Sequence, residues 1–97
     1  MIKNARREAL IEAEVVREAQ ANGWYVRKFK STVRGVPDRM FAKDGKVAFI
    51  EFKQRRGEMG KLQEREIAKM RDAGLDVYVC RSVEEARAAL RWADLIL

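Results

Sequence analysis

Residues 37–53 read Pro-Asp-Arg-Met-Phe-Ala-Lys-Asp-Gly-Lys-Val-Ala-Phe-Ile-Glu-Phe-Lys. Two apolar-rich runs, 39–43 and 46–53, flank Asp44-Gly45, a dipeptide that favours a two-residue hairpin turn. With that turn, residue i lies opposite residue 89 − i. Along the second run the pleat puts Val47, Phe49, Glu51 and Lys53 on one face, and Ala48, Ile50 and Phe52 on the other. Glu51 then faces Asp38. Directly opposed Cβ atoms are roughly 4.5–5.5 Å apart, and two carboxylates that close repel unless a cation lies between them. An acid and a base sharing the end of an apolar strand are costly to bury unless they are paired or hold a metal. The register alone therefore gathers Asp38, Glu51 and Lys53. Glu-x-Lys without its hairpin partner would fit an ordinary surface salt bridge, which is worth little.

Outward from the hairpin, residues 4–22 predict a helix, capped by Asn4, rich in Ala, Glu, Arg and Leu, and ended by Gly23. Residues 24–29 are aromatic and β-branched and predict a strand. Residues 30–36 are a polar, basic loop closed by Pro37. Residues 55–60 contain two glycines and predict a mobile loop. Residues 61–73 have helical spacing through Leu62, Ile67 and Met70 and stop at Gly74. Residues 76–80 predict a short buried strand in which Cys80 serves as a small apolar residue. Ser82 can cap a last helix through Trp92, with Glu85 completing a capping box. The order α-β-β-β-α-β-α predicts an α/β fold class: a small mixed β-sheet flanked by helices. The helical link between the third and fourth strands is a crossover, expected to be right-handed.

At 97 residues the chain predicts a single domain, 1–97, since two cores do not fit this length. With 47% hydrophobic residues it can bury that core. No run approaches the ~20 apolar residues that span a bilayer, and the N-terminus lacks a signal-peptide pattern. The expectation is a cytoplasmic protein with no membrane association. There is no histidine and one cysteine, Cys80. That removes intrachain disulfides, His/Cys zinc sites and Ser-His or Cys-His nucleophile systems. A metal would need oxygen ligands, which points to Mg²⁺ or Mn²⁺. Lys and Arg number 21 against 15 Asp and Glu, a net charge of +6 that suits a polyanion such as nucleic acid.

Gly35-Val-Pro-Asp38, Phe49-Ile-Glu51-Phe-Lys53, Gly57 and Gln63 together resemble the PD-(D/E)xK nuclease superfamily. More closely the chain resembles the VRR-NUC family, whose small stand-alone members occur in phages and bacteria. The resemblance spans residues 12–79. It implies a restriction-endonuclease-like core and a metal-dependent DNA endonuclease, with a non-catalytic DNA-binding module on the same fold as the alternative. Asp38, Glu51 and the backbone carbonyl of Phe52 would ligate Mg²⁺ (or Mn²⁺). Lys53 would position the attacking water, and Gln63 would orient Lys53 or the phosphate. The family also carries an acidic residue on its first helix, for which Glu8, Glu12, Glu14 and Glu18 compete. Ile11, Val15, Val16 and Ala19 define the inner face at roughly 100° per residue. Glu12 lies nearest the centre of that face and is the expected residue, with Glu8 in the same arc one turn earlier.

Phosphate contacts are expected from Arg27, Lys28, Lys30, Arg34, Arg39, Arg55, Arg56 and Lys61. No stretch reads as a base-recognition helix. Trp24 and Tyr25 could stack on bases, though core packing is the ordinary use of such residues. The segment 90–97 is apolar for a chain end and must cover the sheet or meet a partner. The resemblance implies a homodimer of Holliday-junction-resolvase type, and two symmetric cuts in a four-way junction require two-fold symmetry.

Overall fold

The structure is a computed structural model that describes the backbone of residues 2–95 and the side chains of residues 7–93. Its elements are α1 (Ile2–Ala21), β1 (Tyr25–Lys28), β2 (Arg39–Lys43), β3 (Lys46–Phe52), α2 (Lys61–Asp72), β4 (Asp76–Cys80) and α3 (Val83–Leu95). The expected order α-β-β-β-α-β-α is the order observed. The sheet runs β1-β2-β3-β4, with the first two pairings antiparallel and β3–β4 parallel. Among the described residues no helix is long and apolar enough to cross a membrane.

The β2–β3 hairpin fixes the rest. Asp44 and Gly45 both have positive φ, 51° and 81°, as the tight two-residue turn requires. The register pairs Lys43 with Lys46 and Arg39 with Ile50, so the 89 − i rule holds along the whole hairpin. The pleat then sorts side chains between two layers. Phe41, Ala48, Ile50 and Phe52 pack with Val26 and Cys80 against Val15 and Ala19 of α1 and Ala86, Ala89, Leu90 and Ala93 of α3. Small residues on α3 let it lie close to the sheet. On the opposite face Phe49 and Val77 meet Ile67 and Met70 of α2, with Phe29, Val36 and Met40 at the margin. The Phe29 and Phe49 rings meet edge to face, 5.0 Å between centroids.

Four local expectations change. Helix α1 begins at Ile2, so Asn4 lies inside it rather than capping it; its favourable helix formers carry the helix past the expected cap. Ser82 Oγ accepts from the Glu85 N–H at 3.1 Å, but the Glu85 carboxylate takes its return bond from the Arg81 N–H at 2.6 Å, one residue before the usual place. The 53–60 loop is tied down: Gly57 N–H donates to the Gln54 carbonyl at 3.0 Å, and Arg81 donates to the carbonyls of Gln54 and Gly57. Helix α3 also runs beyond Trp92, to Leu95. Within its apolar end Leu90 is buried while Trp92 is 60% exposed; the side chain of Leu95 and residues 96–97 lie outside the described residues.

Candidate metal centre

The face that β3 presents to α2 ends in Glu51 and then Lys53. The Lys53 Nζ lies 3.7 Å from a Glu51 carboxylate oxygen, with 20% and 12% of the two side chains exposed. Gln63, in the first turn of α2, hydrogen-bonds the same carboxylate. Burial pushes the Glu51 carboxyl above its usual range. The Gln63 bond and the Lys53 charge pull it back, while the charges of Asp38 and Glu8 push it up further. The other end of the Gln63 amide is unspent: its Oε1 is buried and has no hydrogen-bond partner.

Asp38 arrives from the loop before β2. Pro37, one residue earlier, is among the fully buried side chains and anchors the loop. The Asp38 carbonyl accepts from the Phe29 N–H at 2.8 Å, which extends the β1–β2 ladder and leaves the Asp38 side chain exposed. Continuing the hairpin register by one residue puts Asp38 opposite Glu51, close enough for the Asp38 charge to push the Glu51 carboxyl up. One step further along, Pro37 lies opposite Phe52. The Lys53 N–H donates to Cys80 of β4, so by alternation the Phe52 peptide faces β2. Proline has no N–H to give, and the ladder leaves the Phe52 carbonyl without a donor.

Gly35 has φ +93°, and a Cβ there would lie 2.7 Å from the Leu62 carbonyl oxygen and 2.9 Å from the Gln63 Cα. Only a residue without a side chain lets the 30–36 loop seat this closely on the first turn of α2. That contact sets the Gly-Val-Pro-Asp segment and Gln63 against one another.

The donor set is two carboxylates, an undonated peptide carbonyl and an orphaned amide oxygen. All are oxygens, which fits a hard divalent cation. Among the described residues no three acidic or thiol side chains come together as a ready-made cluster, so such a cation would keep waters in its shell.

Helix α1 contributes differently from expectation. The Glu12 carboxylate is paired with Arg39, both partly buried. Arg39 stands opposite Ile50, so this pair lies on the α1 face of the sheet, away from Glu51. It is Glu8, one turn nearer the helix start, whose charge reaches Glu51. The acid centred on the apolar stripe has an arginine as its reason for being there. A search for a basic partner on the adjoining strand would have found it.

The basic residues divide likewise. Arg39 is committed to Glu12. Arg27 folds back, donating to the Val26 carbonyl at 2.7 Å and lying 4.3 Å over the Tyr25 ring. Lys28, Lys30, Arg34, Arg55, Arg56 and Lys61 are exposed. Trp24 is 7% exposed and belongs to the core, while Tyr25 is 52% exposed. Cys80 is a free buried thiol, pushed up to about 12 chiefly by burial.

Comparison with known proteins agrees with this fold. The model of the VRR-NUC domain family matches residues 4–84. A solved structure described as a VRR_NUC domain is similar with a TM-score of 0.78 at 25% identity, covering 88% of this chain and 95% of that one. No curated protein matches the chain.

Proposed function

Since the chain belongs to the VRR-NUC domain family, a family of nuclease domains, we propose that it is a divalent-metal-dependent DNA endonuclease that hydrolyses phosphodiester bonds. The observation that carries this reading is the convergence of Asp38, Glu51, Lys53 and Gln63 at one end of β3. Asp38, Glu51 and the Phe52 carbonyl would hold Mg²⁺ (or Mn²⁺). When bound, the cation lowers the pKa of a water and neutralises charge on the phosphate.

The chain's own residues do the positioning. Lys53, next to Glu51, directs an ammonium at the place where the phosphate and the attacking water meet. It offsets the negative charge that grows on the phosphate oxygens. Gln63 fixes the Glu51 carboxylate with its N–H and keeps a carbonyl oxygen free to accept a hydrogen bond from water. Burial of Glu51 raises the cost of leaving it ionised and unpartnered, which favours a cation over an empty site.

The favoured substrate is branched DNA such as a four-way junction, cut by a homodimer with one metal centre per protomer. The large exposed Trp92 on α3 is a candidate anchor for that second copy. The test is a Mg²⁺ cleavage panel of single strand, duplex, flap and four-way junction, with sedimentation at micromolar concentration. Metal-dependent cutting fastest on the junction, by a dimer, supports the reading. Equal rates on plain duplex remove the junction preference, a monomer removes the paired-cut geometry, and no cutting of any substrate removes the nuclease assignment.

A further inference from the structure

Beside the metal centre lies a pocket of about 400 Å³ lined by Arg7, Gln54, Arg55 and Arg56. We propose that it docks a single phosphate group of the nucleic-acid strand, adjacent to the phosphate that is cut. This rests on the nuclease reading and extends it to a residue, Arg7, outside the motif.

Placement carries the first part of the argument. Gln54 directly follows Lys53, so the pocket opens at the end of β3 that bears the carboxylates. Arg7 directly precedes Glu8, whose charge is felt at Glu51. The first turns of α1 therefore reach this same end, with an acid toward the metal centre and a guanidinium toward the pocket. A strand crossing the end of β3 meets both.

Charge carries the second part. Among the described residues no carboxylate lines the pocket. Several arginines elsewhere are committed, Arg39 to Glu12, Arg87 to Glu18, Arg71 to the Val77 carbonyl, and Arg81 to the loop carbonyls. Among the described residues, Arg7, Arg55 and Arg56 have no ion pair or hydrogen bond. Three uncommitted guanidiniums around one cavity repel one another, and an anion relieves that repulsion. Guanidinium forks match phosphate oxygens in pairs of parallel hydrogen bonds. The Gln54 carbonyl is already held by Arg81, which keeps this wall of the pocket in place.

The experiment measures DNA affinity of the whole chain in EDTA, so that no cutting intervenes. Duplexes carry one neutral methylphosphonate at a time, and a second set differs only in the presence of a 5′-terminal phosphate. Wild type is expected to lose affinity severalfold when one particular phosphate is neutralised or removed. In Arg7→Ala and Arg56→Ala that same change costs nothing further, while neutralising other positions costs as much as in wild type. Each variant also lowers the slope of log affinity against log salt by about 0.9, the share of one phosphate contact. Arg7→Lys keeps the slope but not the full affinity. An internal position that couples to Arg7 identifies a backbone phosphodiester; coupling only to the 5′ phosphate identifies a strand end. Losses that simply add at every position overturn the pocket assignment and leave the nuclease reading standing. Failure of wild type to bind any DNA at low salt overturns both. Arg7 is exposed, so its replacement leaves the core intact, and an unchanged circular dichroism spectrum checks this.

Discussion

Replacing Gly35 by Ala tests how the site is assembled. Two costs apply. The residue sits at φ +93°, and a left-handed backbone costs an L-residue about 1–2 kcal/mol. The new Cβ would also stand 2.7 Å from the Leu62 carbonyl oxygen and 2.9 Å from the Gln63 Cα. These are backbone atoms in a helix turn and cannot swing aside, so overpacking adds about 1–3 kcal/mol. Gly74 supplies the control, with φ +90° and nothing within 4 Å of the added Cβ, so Gly74→Ala bears the conformational cost alone. Urea denaturation should place Gly35→Ala about 1–3 kcal/mol below Gly74→Ala, out of a total stability of about 5–15 kcal/mol. Thermal midpoints should separate by at least ~4 °C. Gly35→Ala should also lose cleavage at temperatures where it is fully folded, because the clash pushes the Asp38 loop away from Gln63. Equal stability of the two variants would refute the close-approach argument. Full activity in Gly35→Ala would refute its link to the site.

Further outcomes follow from individual residues. Glu8→Gln should lower cleavage with little loss of stability, whereas Glu12→Gln should chiefly lose stability, and a double-mutant cycle of Glu12 with Arg39 should show coupling of up to about 1 kcal/mol for this partly exposed pair. The raised Glu51 carboxyl means that the folded, metal-free protein binds its proton more tightly than the unfolded chain does. Stability from this group is thus full below the unfolded value and declines as pH rises through the folded one. Urea midpoints of Glu51→Gln in EDTA should lack that decline, and an identical pH profile would contradict it. With its thiol pushed up to about 12 and only 2% of its surface exposed, Cys80 should react with an aromatic disulfide reagent at pH 8 only as the protein unfolds.

Much of this arrangement is legible in the residues because the hairpin is governed by local rules. Asp44-Gly45 dictates the turn, the turn dictates the register, and that register, continued one residue past Arg39 and Ile50, puts Asp38 opposite Glu51. Alternation along β3 likewise assigns Phe49 to the α2 layer and Ile50 to the α1–α3 layer. What could not be read depends on contacts between distant segments. Helical periodicity places Glu8 and Glu12 on one face but not which of them reaches the end of the sheet. That depends on how far α1 slides along it, and the Glu12–Arg39 pair marks the answer. The glycines of residues 55–60 predict a mobile loop, yet Arg81, more than twenty residues later, holds the carbonyls of Gln54 and Gly57. Gly35 was visible as part of a motif, but its role depends on the approach of α2.

The most direct measurement is the initial rate of four-way-junction cleavage against Mg²⁺ concentration for wild type and Asp38→Asn, with DNA affinity of both measured in EDTA. A divalent metal held by Asp38 and Glu51 gives a rate that is zero without Mg²⁺ and saturates with it in wild type. Asp38→Asn then stays uncut at every concentration while binding DNA as well as wild type. Cleavage by Asp38→Asn at the wild-type rate, or a wild-type rate indifferent to metal, would contradict the metal centre.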